Sequence, residues 1–216
     1  MAAITTLTPD IQSKIPEIPA FIATREIIHA TREFCEFTRA WRVDIQVSTT
    51  ADTATVDLTN LLPTGTELVD IISMKNVEGS RPVLPTTQAW LDTNTSDWRG
   101  DTALDANYYV LSGNNTIQLV PTPSTTVSNQ YYVRVAVKPL LATATTFDDV
   151  LVNKYDQVLV DGALARLYLI PRKPWTDTGL GAYHRQVFMA AMPSARTEAA
   201  EEFQTGVARK VKYGGL

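Results

Sequence analysis

Reactive side chains are scarce in these 216 residues. There is one cysteine, Cys35, which excludes an intrachain disulfide framework and a cysteine-built zinc site. The two histidines, His29 and His184, argue against a multi-histidine metal centre. No glycine-rich phosphate loop is present: Gly179-Leu180-Gly181 lacks the third glycine and a preceding strand. No G-x-S-x-G nucleophile elbow occurs. Positive charge is not in excess. The 19 Lys and Arg against 23 Asp and Glu leave a net charge of −4, which argues against a broad electrostatic grip on nucleic acid but not against a local basic patch. No apolar run approaches the roughly 20 residues that span a bilayer. The N-terminus, MAAITTLTPDIQSKIPEIPAFIA, lacks the basic start and apolar core of a signal peptide, so synthesis inside the cell is expected. The sequons at Asn94 and Asn114 then mark polar loops only.

What is present is a globular composition, 44% hydrophobic and 19% charged, long enough for one large domain or a domain with a sizeable insertion. The stretch REIIHATREFCEFTRAWR, residues 25–42, gathers Cys35, His29 and three glutamates. Its apolar and small residues Ile27, Ala30, Phe34, Phe37 and Trp41 step by three and four, the stripe of a buried helix face. Ile28 and Cys35 flank that stripe. His29 and Cys35, six residues apart, stand roughly 120° apart around such a helix and cannot form a dyad within it. Cys35 therefore reads as a small buried apolar residue, and His29 as the partner of Glu33 one turn later. Arg25, Glu26, Arg32, Glu33, Glu36 and Arg39 read as a solvated or partner-facing side.

The texture then changes twice. Residues 1–20, with Pro9, Pro16 and Pro19, read as an extended arm. From Val43 the period becomes two: Val43, Ile45 and Val47, then Ala54, Val56 and Leu58, then a strand over 67–77 turned by Glu78-Gly79-Ser80. Residues 86–98 hold a short helical piece. Residues 107–111 and 116–120, joined by Ser-Gly-Asn-Asn, form the clearest hairpin, and Tyr131, Val133, Val135 and Val137 a last strand ending near Pro139. Helical spacing returns after a cap at Asp148 or Asp149, through Leu151, Tyr155, Val158, Gly162, Ala165 and Leu169. Gly162 and Ala165 leave room for a close neighbouring helix. Pro171 and Pro174 end this helix, and a last one over about 177–204 is expected to be kinked or divided by Pro193. The fold class is α+β: helices over 21–42 and 141–208 form a bundle because each exposes an apolar stripe, and an antiparallel β domain, 43–140, is inserted between them. The bundle core is expected to hold Ile27, Phe34, Phe37, Trp41, Tyr155, Val158, Gly162, Ala165 and Leu169. Residues 209–216 form a flexible basic tail.

No constellation supports catalysis. Adjacent acids such as Asp148-Asp149 and Glu201-Glu202 point in different directions on a helix. Asp92, Asp97, Asp101 and Asp105 lack the spacing and closing glutamate of a calcium loop. A two-histidine site requires His29 and His184 to meet across the bundle. Aromatics interleaved with basic residues are scarce outside Trp41-Arg42 and Trp98-Arg99, a weak stacking signature. The chain is read as no enzyme, with no cofactor and no metal.

One resemblance covers most of the chain. The Pro-containing arm leading to REFCEFTRAWR (32–42), the IQLVPTP of the β segment (117–123), DGALARLYLIPRKPW (161–175), YHRQVF and the terminal RKVKYGG appear in an order that resembles the head-to-tail adaptor proteins of tailed bacteriophages, the tail tubular protein A-like group. F-C-E-x-T-x-x-W together with GALARL and the later Pro-Trp carry it. Pro193 departs from that family's pattern. The resemblance implies a structural virion protein of the neck or tail: a homo-oligomeric ring of about twelve subunits that binds the portal protein, extends the DNA channel and forms the platform for a tail nozzle or tail tube protein. Double-stranded DNA would pass through without sequence-specific binding, and no membrane would be involved. The tail residues Arg209, Lys210, Lys212 and Tyr213 are the expected portal-docking group. Two other readings stay open: a neck or tail-completion protein of a long-tailed phage, and a soluble binding module that uses its β domain.

Overall fold

The computed structural model describes residues 1–78, 81–113 and 115–201. The first twenty residues are not an extended arm. After strand β1 (Ala2–Ala3), a 3-10 turn (Ile4–Leu7) and helix α1 (Thr8–Lys14) follow. Pro9 lies in the first turn of α1, where its missing N–H costs nothing. Ile4, Leu7, Ile11, Ile15 and Ile18 step by three and four, and all are buried. That apolar stripe outweighs the prolines and ties the segment to the core.

Helix α2 runs Ala20–Thr38 and is closed by Arg39 in the left-handed region (φ 55°), whose N–H donates to the Cys35 carbonyl at 2.9 Å. Its buried face is Ala23, Ile27, Ala30, Thr31, Phe34, Cys35 and Thr38. Phe37, expected in the core, lies off this face and is 41% exposed. Trp41 is buried beyond the end of the helix, its ring edge-on to Phe147 with centroids 6.4 Å apart.

Strands β2 (Arg42–Thr49), β3 (Thr55–Asp57), β4 (Thr66–Asn76) and β5 (Leu84–Pro85) lead to helix α3 (Gln88–Asn94). Strands β6 (Thr102–Ala103), β7 (Tyr108–Leu111), β8 (Thr116–Val120), β9 (Thr122–Pro123), β10 (Val127–Pro139) and β11 (Thr146–Phe147) complete the β content. The main sheet has order β2-β10-β4, antiparallel throughout, with Val133 of β10 opposite Ile45 and Met74. The inward residues Val133, Val135 and Val137 are fully buried, as period-two spacing requires. The second sheet has order β3-β8-β7-β5 and contains the β7–β8 hairpin. It is not wholly antiparallel: β5 runs parallel to β7, as β6 does to β9, through two-residue pairings. A separate small core under α3 joins Leu91, Trp98, Val110 and Val120.

Helix α4 (Asp149–Tyr168) is capped by Asp148, whose carboxylate accepts from Val150 N at 2.8 Å. Its regular geometry breaks at Tyr155 (φ −121°, ψ 16°). Helix α5 (Thr178–Ala200) is capped by Asp177 and runs through Pro193 without dividing. Phe188 and Met192 before the proline and Ala195 and Ala199 after it are all buried, so packing on both sides holds one helix. Helices α2, α4 and α5 pack on one another, and α2 also packs on β10. The Phe34 ring lies 5.0 Å from Tyr155 and 6.5 Å from Phe188, centroid to centroid. Val158 is half-buried. Leu169, also expected in the core, follows the last turn of α4 and is 52% exposed. Tyr155, Gly162 and Ala165 are buried. The chain is a mixed α+β protein.

Candidate functional site

The stretch that concentrates chemistry in the sequence is structural in the fold. Cys35 is fully buried, and burial pushes its thiol up, away from reactivity. His29 is half-buried, and the same effect lowers its affinity for a proton. It does not pair with Glu33. That glutamate instead accepts both terminal nitrogens of Arg185, at 2.8 and 2.5 Å, a bidentate bridge from α2 to α5 that raises the guanidinium's hold on its proton.

The other charges of α2 are used in the same way. Glu26 pairs with Arg166 of α4 at 2.9 Å. Arg32 reaches Glu67 Oε1 at 2.6 Å and the Pro139 carbonyl at 2.6 Å. Glu36 pairs with Lys138, and Arg39 with Asp70 at 2.8 Å. The expected partner-facing side of α2 is therefore largely spent within the chain, where it joins this helix to α4, α5 and the main sheet.

His29 and His184 stand in separate surroundings. His184 is buried, with Nδ1 2.9 Å from Asp161 Oδ1, its ring stacked on Tyr168 at 5.7 Å and edge-on to Tyr183 at 5.2 Å. Gln157 Nε2 donates to the same aspartate oxygen at 3.3 Å. The His184–Asp161 pair lacks a nucleophile among these contacts and reads as a satisfied polar link between α4 and α5. Twenty-three residues separate its members, so no sequence motif announces it.

The aspartates of the loop region serve locally. Asp92 accepts from Trp98 Nε1 at 2.9 Å and pairs with Arg99 at 2.7 Å, which holds its carboxyl below the usual range. Asp105 accepts from Asn76 and from Gln130. Among the described residues, no group of three or more His, Cys, Asp or Glu could hold a metal ion. No described helix is long and apolar enough to cross a membrane.

What remains is surface. An open groove of about 570 Å³ runs between Lys14–Glu17 and the α4–α5 connection, with Tyr168, Pro174 and Trp175 in its wall. Another, about 670 Å³, lies between Asp70–Ile71 and Pro85–Gln88, beside Tyr109 and Leu111. The outward side of α5 exposes Ala182, Tyr183, Gln186, Met189, Ala190 and Pro193, a run without charge; Tyr183 is 60% exposed. Uncharged surface rich in Tyr and Met is the chemistry of protein contact rather than of catalysis. The expected portal-docking residues Arg209, Lys210, Lys212 and Tyr213 lie outside the described residues.

A family model described as SU10 adaptor protein matches residues 1–210, nearly the whole chain. No curated protein matches the sequence.

Proposed function

The chain belongs to the SU10 adaptor protein family of phage head-to-tail adaptors, and on that footing we propose that it assembles as a ring between portal and tail. The match over residues 1–210 carries this reading. Membership implies a virion component of a bacteriophage whose partners are portal and tail proteins. In the finer reading, about twelve copies close by head-to-tail contacts, extend the DNA channel and present the platform for the tail nozzle or tail tube. Helices α2, α4 and α5 act as one bundle, with the β segment that lies between α2 and α4 in the chain inserted into it. The tail, with Arg209, Lys210, Lys212 and Tyr213, docks on the portal.

Two features support a contact role. The charges of α2 are consumed in bridges to α4, α5 and the sheet, which leaves the uncharged side of α5 available for a neighbour. The ion pairs fix how α2 sits against α4, α5 and the sheet, so that one defined surface is presented to a neighbour.

The test is to mix the purified chain with the portal of the same phage and follow sedimentation. Co-sedimentation at a fixed ratio is expected, with loss of portal binding on deletion of residues 209–216. Full binding by the deleted chain would remove the docking role of the tail. No binding by the intact chain would remove the adaptor reading itself.

A further inference from the structure

The main sheet has one edge that is only partly covered. Strand β4 pairs with β10 on one side. On its other side, Val83 N donates to the Met74 carbonyl at 2.9 Å and Leu68 N donates to Asn115 Oδ1 at 3.1 Å. Between those two points, no described strand lies beside residues 69–73. Across from them, β5 covers only Tyr108 and Tyr109 of β7, so no described strand flanks Val110 and Leu111 on that side. The groove of about 670 Å³ is walled by residues of both edges.

Tyr109 lines this groove and is 3% exposed, yet its hydroxyl has no hydrogen-bond partner among the described residues. Burial, with the Asp70 carboxylate nearby, pushes its pKa up to about 12, so the hydroxyl keeps its proton as a donor. A buried donor left without an acceptor is costly. Pro85 and Leu111 give the same groove exposed apolar surface.

The end of α5 stands at the mouth of the groove. Ala200 lines a neighbouring groove together with Asp70 and Ile71, and these two residues line the larger groove as well. The chain continues from there as EFQTGVARKVKYGGL, residues 202–216, which lie outside the described residues. Its pattern has period two: Arg209, Val211 and Tyr213 share one face of an extended chain, and Lys210 and Lys212 the other. Residues 201–206 span up to about 20 Å when extended, more than the length of β4 between Val69 and Ser73. The segment has three basic residues and one acid, in a chain that is acidic as a whole, so the field of the protein holds it close.

We propose that this groove binds residues 207–213 of the same chain as a strand added to the β4 edge. Val211 and Tyr213 lie against Pro85 and Leu111, Lys210 and Lys212 face water, and a main-chain carbonyl accepts from the Tyr109 hydroxyl. Strand addition takes its affinity from main-chain hydrogen bonds and its register from alternate side chains. A short tether sets an effective concentration of about millimolar, so a segment of modest intrinsic affinity stays bound. Docking of the same tail on the portal, as proposed above, then requires it to leave the groove. The binding itself does not rest on that reading.

The experiment follows hydrogen–deuterium exchange of the full chain, without portal, by mass spectrometry. The double variant Ala208→Pro with Val211→Pro removes donors from both edges of the added strand and keeps length and charge. Exchange at 69–73 and 110–111 is expected to be at least tenfold faster in this variant, with α2 unchanged. Tyr109→Phe, which removes only the hydroxyl, is expected to speed exchange at 207–213 a few-fold. A thermal melt of each variant certifies folding. A fluorescent peptide of residues 203–216 is expected to bind the double-proline chain saturably, and a scrambled peptide of the same composition at least tenfold more weakly. The proposal is overturned if the double variant leaves exchange at 69–73 unchanged, if folded Tyr109→Phe leaves 207–213 unchanged, or if the scrambled peptide binds as tightly. Protection at 69–73 that falls on dilution would also overturn it, because the groove would then hold the tail of a second copy. Portal is absent throughout, so failure here is distinct from failure of the adaptor reading.

Discussion

Gly162 of α4 and Phe188 of α5 approach so closely that a Cβ on the glycine would stand 2.7 Å from the ring's Cε2; it would also stand 2.9 Å from the Cβ of Ala30 on α2. Three helices thus meet at a point with no room for a methyl group. Gly162→Ala should destabilise the protein by about 1–3 kcal/mol, the usual cost of overpacking. Denaturant unfolding measures it. Gly113→Ala, where the added carbon meets nothing nearer than 3.7 Å, is the control and should stay within about 0.5 kcal/mol.

The Glu33–Arg185 bridge has good bidentate geometry but stands at a partly exposed surface, with side-chain exposures of 31% and 41%. Solvent screening limits what it contributes. A double-mutant cycle with Glu33→Gln and Arg185→Gln should give a coupling of about 1 kcal/mol or less, falling further at high salt.

Acid should destabilise the fold in two stages. Burial places the folded value of His29 below its ordinary 6.5, so the unfolded chain holds more protons between the two values. The stability this contributes is complete above 6.5 and is lost as pH falls below it. Arg134 lowers Asp44, and Lys154 with Tyr155 lowers Glu198. Their contributions are complete above the ordinary carboxylate range and are lost as pH falls through their lowered values. The melting temperature should therefore start to fall below about pH 6.5 and fall again below about pH 4. His29→Gln should flatten the first stage only; an unchanged first stage would show that another group sets it.

Cys35 should be inert while the protein is folded. Its thiol is buried and pushed toward the protonated form. A maleimide or iodoacetamide added at neutral pH should leave it unmodified over hours and label it fully in denaturant, as mass spectrometry would record. Rapid labelling of the native chain would contradict the burial.

The sequence was most legible where one period dominates a single element. The α2 stripe, the β7–β8 hairpin and the alternation of β10 all follow from spacing. Spacing misled where two signals competed. Pro9, Pro16 and Pro19 masked the helical step of Ile4, Leu7, Ile11, Ile15 and Ile18, because a proline in a first turn and a proline that breaks a helix look alike in sequence. Phe37 and Trp41 share a stripe with Phe34 on paper, but the helix ends at Thr38, so Trp41 reaches the core from beyond it and Phe37 turns outward. Pro193, expected to kink or divide the last helix, does not divide it, because buried residues on both sides keep one helix packed. The bridges Glu33–Arg185 and Glu26–Arg166 and the His184–Asp161 link join residues distant in sequence, and local patterning carries no trace of such pairings.

The central claim is that this family member works as a ring on the portal. The most direct measurement is mass and shape by light scattering and negative-stain imaging, for the chain alone and then mixed with its portal. The account predicts a closed ring of this chain seated on the portal, with a mass increment equal to a whole number of subunits. A chain that leaves the portal's mass and image unchanged at every concentration tried would contradict it.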